Sequence, residues 1–161
     1  IEAVEFVQRF VDEYLVSHPI EGDTITAAAS VKELSALFDP RQLHQVLTVL
    51  VHNALTYGRL PGQPARVTVR VADDNGRPVL DVLDRGPGIP DGVRGRLFKP
   101  FFTTSHHGTG LGLYIARELC RANHAGLDYL PTAGVGGCFR IRMSALGRRE
   151  ADERSFAAAG S

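Results

Sequence analysis

Residues 84–90 read Asp-Arg-Gly-Pro-Gly-Ile-Pro, and residues 108–113 read Gly-Thr-Gly-Leu-Gly-Leu. Upstream of both motifs, Asn53 lies in the run His-Asn-Ala-Leu-Thr-Tyr-Gly of residues 52–58. A carboxylate can accept a hydrogen bond from the amine of a purine base, a glycine-rich turn can bind phosphates, and an amide oxygen can bind Mg²⁺. Each motif alone is weak, but their order in one short chain predicts a domain that binds ATP with Mg²⁺.

The composition is that of an ordinary globular domain. The 161 residues suffice for one domain with its own core, and 18 basic residues balance 18 acidic ones. This zero net charge argues against nucleic acid or an anionic membrane as a main partner. Cys120 and Cys138 form no Cys-x-x-Cys pair, so we expect a reduced, cytosolic setting. The six histidines lack the spacing of metal ligands. Because the chain begins at Ile1 rather than Met, we expect a fragment or a processed product.

Hydrophobic periodicity predicts the order of helices and strands. The predicted helices cover residues 2–16, 40–57 and 111–122, and the predicted strands cover 65–71, 79–83, 127–130 and 138–143, with two short strands around Ile25 and Leu37. Strands that are joined by tight turns pair antiparallel. We therefore predict an α+β fold, a two-layer α/β sandwich whose mixed, mostly antiparallel sheet carries helices on one face. The predicted domain covers residues 1–146, with 1–20 as leading helix and linker, and a disordered tail covers 147–161.

The first glycine-rich motif is suited to an adenine base. Asp84 follows a predicted strand, and a buried carboxylate there can accept from the exocyclic amine of adenine, whereas guanine presents a carbonyl. Gly86 and Gly88 lack a Cβ, so a flat base can approach the backbone. The alternative is a plain Asp-Gly turn without a ligand.

The second motif and Asn53 are suited to the phosphates and the metal. Residues 108–112 open a predicted helix, whose N-terminus favours anions, although they match neither a Walker loop nor the dinucleotide fingerprint. Asn53 lies on the flank of the apolar face of helix 40–57, at the edge of a groove, and can offer a neutral oxygen to Mg²⁺. Thr103 and Thr104 could reach phosphate, and Lys99 is a candidate charge partner. A solvent-facing Asn53 and a structural glycine turn are the alternatives.

Together these motifs resemble the ATP-binding catalytic domain of sensor histidine kinases, in the superfamily shared with gyrase, the ninety-kilodalton heat-shock chaperone and MutL. Asn53 matches the N box of that family, residues 84–88 the first glycine box, 98–104 the F box, 108–112 the second glycine box and 134–139 the last glycine-rich turn. The wording of residues 101–116 is similar to the nitrogen-regulation branch. The resemblance assigns catalysis to Asn53 and Lys99, the metal to Asn53, and nucleotide binding to Asn53, Tyr57, Asp84, Gly86, Gly88, Ile89, Phe98, Thr103, Thr104, Gly108, Thr109, Gly110, Leu111, Gly112 and Leu113.

The resemblance also implies a function and partners. It implies a histidine protein kinase that binds Mg-ATP and transfers the γ-phosphoryl group to a histidine on a separate dimerisation domain of the same kinase. A response regulator would be the next partner, with neither nucleic acid nor direct membrane contact for this domain. The intact protein would be a homodimeric sensor kinase of the inner membrane, with this domain in the cytoplasm. The family's phosphoacceptor box is absent from the chain.

Two positions depart from the family pattern. Val49 replaces an asparagine one turn before Asn53, and Thr56 replaces a lysine three residues after it. These departures predict either a thinner metal and phosphate shell or one that Lys99 or Arg59 assists. Val49 also occupies the place of the general-base glutamate of gyrase-like ATPases, which argues against a hydrolytic clamp. A serine kinase of the anti-sigma type and an ATP-sensing module without transfer activity remain alternatives.

Overall fold

The computed structural model describes residues 1–102, 110–132 and 136–146. Its helices are α1 (Ala3–Ser17), α2 (Pro40–Tyr57), α3 (Asp91–Arg94) and α4 (Gly112–Ala122); its strands are β1 (Thr24–Ala29), β2 (Arg66–Asp74), β3 (Arg77–Leu83), β4 (Gly126–Pro131) and β5 (Gly137–Arg142). The predicted tail at 147–161 and the first two residues of the glycine-rich turn at 134–139 lie outside these ranges. None of the helices described is long and apolar enough to span a membrane.

The five strands form one mixed sheet in the order β1-β2-β3-β5-β4. β1 and β2 are parallel, and the other three pairs are antiparallel, which confirms the predicted sheet. The parallel pair requires a crossover, which the segment containing α2 supplies. The strand predicted around Leu37 is wrong, because Leu37 makes only an isolated bridge to Ser144 and Asp39 already caps α2 two residues later.

Helices α1, α2 and α4 pack against one face of this sheet, as predicted. α2 begins where Asp39 accepts a hydrogen bond from the Gln42 N–H, with Pro40 in the first turn. The apolar face of the helix and the alternating inner positions of β2 and β3 are buried together. This shared core comprises Leu43, Val46, Leu47, Leu50, Val51, Val67, Val69, Val71, Leu80 and Val82.

The opposite face of the sheet carries an ion network around Asp81. The carboxylate is fully buried and accepts from Arg140 Nε at 2.8 Å and from Arg70 Nη2 at 3.0 Å. Burial alone would raise the pKa of Asp81, but the hydrogen bonds and charges of the two arginines outweigh burial and lower that pKa. The network explains how an acidic residue is accommodated within the apolar run of β3.

Candidate nucleotide-binding site

Asp84 is held at the point where β3 leaves the sheet. Its Oδ1 accepts from the backbone N–H of Gly86 at 2.9 Å and of Gly137 at 3.2 Å, while the Asp84 N–H donates to the Gly137 carbonyl. No residue in the described ranges hydrogen-bonds to Oδ2. Burial raises the pKa of Asp84, and the two backbone hydrogen bonds offset this only in part. The fold therefore fixes this carboxylate in orientation and leaves one oxygen as an acceptor.

The glycine at position 86 is required by close packing against the end of α2. A Cβ on Gly86 would lie 2.6 Å from the backbone carbon of Gly58, and a Cβ on Gly58 would lie 2.5 Å from Cβ of Asp84. The loop after β3 is thus in contact with the C-terminus of α2. Sequence reasoning missed Gly58, because a glycine after a helix has an ordinary explanation as a cap.

Both backbone polar groups of Ile89 are held by side chains from other elements. The Ile89 N–H donates to the hydroxyl of Tyr129 at 3.0 Å, and its carbonyl accepts from Arg94 Nε at 2.8 Å. Gly88, just before it, has a φ of +78°, which favours glycine. Sequence reasoning missed Tyr129 and Arg94, since neither belongs to a motif.

A cavity of about 560 Å³ lies beside this loop. It is lined by Pro87, Gly88, Ile89, Pro90, Asp91, Arg94, Tyr129, Pro131, Thr132 and Gly136. Neither Asp84 nor any residue of α2 lines the cavity, so it adjoins the surface that carries the Asp84 carboxylate and does not coincide with it.

α2 and the start of α4 lie side by side at the predicted metal and phosphate position. A Cβ on Gly112 would lie 3.3 Å from Cγ1 of Val49. Asn53 is half-buried one turn further along the same side of α2, and its side chain makes no hydrogen bond to a residue in the described ranges. Tyr57 is exposed in the last turn of α2. Leu111 precedes α4, and Leu113 follows Gly112 in its first turn.

The F box divides into packed and exposed rings. Phe98 packs edge-on against Phe139, with ring centroids 6.2 Å apart, and the Arg117 guanidinium lies 4.7 Å from its centroid. Phe98 therefore anchors this segment to the hydrophobic core. Phe101 is 74% exposed at a φ of +65°, and its N–H donates to the carbonyl of Gly110.

The basic groups near the site differ in availability. Lys99 is exposed and makes no ion pair with any residue in the described part of the chain. Arg59, by contrast, donates to the Leu55 carbonyl and pairs with Asp23 at 3.1 Å. The suggestion that Arg59 assists the metal and phosphate shell stays a prediction. Thr103, Thr104, Gly108 and Thr109 lie outside the described residues.

A metal ion would find few protein ligands here. The described ranges contain no group of three or more His, Cys, Asp or Glu side chains able to hold one. The amide oxygen of Asn53 fits an ion that takes one protein oxygen, several waters and phosphate oxygens, as Mg²⁺ does with nucleotides. The donor set therefore fits a metal that arrives with a nucleotide.

Comparison with known proteins gives the family. The sequence model of the family described as histidine kinase-, DNA gyrase B- and HSP90-like ATPase matches residues 38–146. The chain belongs to this family. The family match supports the use of ATP and spans the described site residues of α2, the glycine-rich loop and α4.

Relatives of this chain include a sensor kinase and a nitrogen regulation protein. The chain is 42% identical over 147 residues to the sensor protein kinase PilS of Pseudomonas aeruginosa, an alignment that covers 89% of this chain and 27% of PilS. It is 31% identical to the nitrogen regulation protein NtrY of Azorhizobium caulinodans, covering 89% of this chain and 19% of NtrY. These matches agree with the predicted nitrogen-regulation branch, and the chain spans a minor part of each relative's length.

Two solved structures of histidine kinases have a similar fold. The catalytic domain of the histidine kinase ThkA superposes with a TM-score of 0.74 at 23% identity, over 88% of this chain and 91% of ThkA's domain. Full-length ShkA in complex with AMPPNP gives a TM-score of 0.76 at 24% identity, over 90% of this chain and 31% of ShkA. These similarities confirm the predicted fold.

Proposed function

We propose that this chain is the ATP-binding catalytic domain of a sensor histidine kinase. It binds Mg-ATP and presents the γ-phosphoryl group to a histidine on a separate dimerisation domain. The observation that carries the proposal is Asp84, whose Oδ1 is fixed by two backbone N–H groups while Oδ2 stays available beside α2. The family match and the sensor-kinase relatives support the same assignment.

Asp84 selects adenine in this proposal. Oδ2 accepts from the exocyclic amine, and the glycine-rich loop brings Gly88 and Ile89 against the base. Guanine would place a carbonyl oxygen before the carboxylate, and two acceptors repel each other. Selectivity therefore rests on a carboxylate that the backbone holds in one orientation before the nucleotide arrives.

The phosphates extend from the loop towards α4. The positive end of the α4 dipole lies at Gly112, next to the side of α2 that carries Asn53, and favours negative charge there. Asn53 is the proposed protein ligand of Mg²⁺, which when bound would neutralise charge on the phosphate oxygens. Lys99 is the proposed additional cation, since it has no ion-pair partner in the described ranges.

Transfer, rather than hydrolysis, follows from what surrounds Asn53. Phosphoryl transfer needs positioning and charge neutralisation more than acid–base groups of the protein. Val49 lies one turn before Asn53 and packs towards Gly112, so α2 presents an apolar side chain where a general base would activate water. We propose that a histidine from another domain, rather than water, supplies the nucleophile.

An exposed apolar patch next to α4 is the proposed docking surface for that domain. Phe101, Tyr114 and Ile115 are exposed large apolar residues, and the hydrogen bond between Phe101 and Gly110 places the first of them close to the start of α4. Apolar patches of this kind favour contact with a partner protein. We further propose a response regulator as the later recipient of the phosphoryl group, a dimeric intact kinase, and a cytoplasmic position for this domain.

Calorimetry tests the proposal directly. Titration of the chain with ATP, ADP and GTP in the presence of Mg²⁺ should show binding of both adenine nucleotides and much weaker binding of GTP. Equal affinity for ATP and GTP would contradict the role of Asp84. ATP binding without phosphoryl transfer to a supplied histidine domain would favour the sensing module.

A further inference from the structure

Tyr129 connects β4 to the glycine-rich loop across 40 residues of sequence. Its hydroxyl accepts from the Ile89 N–H at 3.0 Å, and its ring packs edge-on against Phe139 with centroids 5.3 Å apart. The ring also fills the space beside Gly137, where a Cβ would lie 2.5 Å from the tyrosine oxygen. Gly137 in turn donates to Asp84. Tyr129 therefore contacts both backbone segments that border the Asp84 carboxylate.

Arg94 completes the support of the same loop. Its guanidinium lies 5.7 Å from the centroid of the Tyr129 ring, pairs with Asp91 at 2.7 Å, and donates to the Ile89 carbonyl. The N–H and the carbonyl of Ile89 are thus held by two side chains from different elements, because no strand or helix pairs with them. Gly88, at positive φ, leaves the backbone before Ile89 with wide conformational freedom in the unfolded chain.

We propose that Tyr129 is a positioning residue for the base-binding loop, and that its hydroxyl keeps Gly88 and Ile89 in the conformation that receives the adenine ring. This inference rests on the proposed binding of ATP. The hydroxyl is not proposed to touch the nucleotide. It acts through the Ile89 N–H, so its loss weakens binding at the base end of the ligand and leaves the phosphate end unchanged.

The substitution Tyr129→Phe removes the hydroxyl and keeps the ring against Phe139 and Arg94. Loss of one such hydrogen bond should raise the dissociation constant for ADP about 3- to 10-fold. ATP should lose affinity by the same factor as ADP, because both carry the same base. Amide hydrogen exchange at residues 86–90 should become faster in the nucleotide-free variant, since the Ile89 N–H has lost its acceptor.

Tyr14→Phe is the matched control. Tyr14 is a buried tyrosine of α1 whose ring packs on Phe10 and stacks on His18, outside the proposed site. Its variant should bind ADP within about twofold of the unmodified chain, because surface and core changes away from a site rarely alter affinity. Thermal unfolding of both variants, followed by circular dichroism, shows that both are folded at the titration temperature.

Three outcomes would overturn the inference. Unchanged ADP affinity in Tyr129→Phe would show that the hydroxyl does not position the loop. An equal loss in Tyr14→Phe would show a general effect of stability instead. A larger loss for ATP than for ADP would place the effect at the phosphates. Failure of the unmodified chain to bind ADP would refute the proposed function itself, which distinguishes the two failures.

Discussion

Replacing Asp84 by asparagine and by alanine separates its structural role from its proposed role in base recognition. Alanine removes the acceptor of the Gly86 and Gly137 N–H groups, whereas asparagine retains one carbonyl oxygen in nearly the same volume. The asparagine amide must direct its NH₂ either at those two N–H groups or at the adenine amine. Either orientation places donor against donor, so asparagine should impair binding even when the fold is intact.

The expected losses of stability and of ATP affinity follow from those contacts. In Asp84→Ala, two partly buried N–H groups lose their acceptor, which should lower the free energy of unfolding by about 2–4 kcal/mol. Asp84→Asn should stay within about 1 kcal/mol of the unmodified protein, because burial, which raises the pKa of Asp84, already disfavours its charge. The loss of a charge-assisted hydrogen bond to adenine should weaken ATP binding about 10- to 100-fold in Asp84→Asn.

Denaturant unfolding and calorimetry on the same preparations provide the assay. Because the folded pKa of Asp84 is raised, its contribution to stability is full below the unfolded pKa and is lost as the pH rises through the folded pKa. The stability of Asp84→Asn relative to the unmodified chain should therefore increase over that range. Full ATP affinity in a folded Asp84→Asn would refute the reasoning, as would GTP binding as strong as ATP binding.

Three further substitutions, and Gly95→Ala as a control, test the metal site, the ion network and the packing of the glycine-rich loop. Asn53→Ala should reduce Mg²⁺-dependent phosphoryl transfer more than binding of metal-free nucleotide; equal losses in the two assays would remove Asn53 from the metal. Asp81→Asn should lower the free energy of unfolding at neutral pH by about 2–4 kcal/mol and flatten its acid dependence, since a lowered pKa gives stability that is lost as the pH falls through the folded pKa. Gly86→Ala should lower the free energy of unfolding by at least about 1–3 kcal/mol, because its Cβ meets backbone atoms. At Gly95 a Cβ meets open space, so Gly95→Ala should change the free energy of unfolding by less than about 0.5 kcal/mol.

Local patterns in the sequence predicted the elements well. The apolar face and the Asp-Pro start of α2 are both sequence-local, and so is the hairpin between β2 and β3, where Asn75 and Gly76 adopt positive φ. The strand prediction around Leu37 is wrong because an apolar pattern does not by itself provide a neighbouring strand with which the segment can pair. β1 and β2 pair in parallel, so the chain between them must form a crossover connection. No local turn motif in the sequence predicts such a connection.

Candidate site residues that belong to a sequence motif could be predicted, whereas those that reach the site through tertiary contacts could not. Asp84, Gly86 and Gly112 come from motifs; Asp84 and Gly86 lie against Gly58 at the end of α2, and Gly112 lies against Val49 in the middle of that helix. Tyr129 reaches Ile89 across 40 residues, and the engagement of Arg59 with Asp23 crosses 36, so neither is visible in local sequence. Side-chain contacts between residues so far apart in sequence depend on the fold as a whole.

Phosphoryl transfer from γ-labelled ATP distinguishes a kinase domain from a domain that only binds ATP. The chain is incubated with labelled ATP and Mg²⁺, alone and together with a dimerisation domain that carries the acceptor histidine of the intact kinase. The account predicts acid-labile label on the added domain, and almost none when the chain is alone, because docking supplies the aimed nucleophile at high effective concentration. Rapid self-labelling of the chain, or absence of label in both mixtures despite bound ATP, would contradict it.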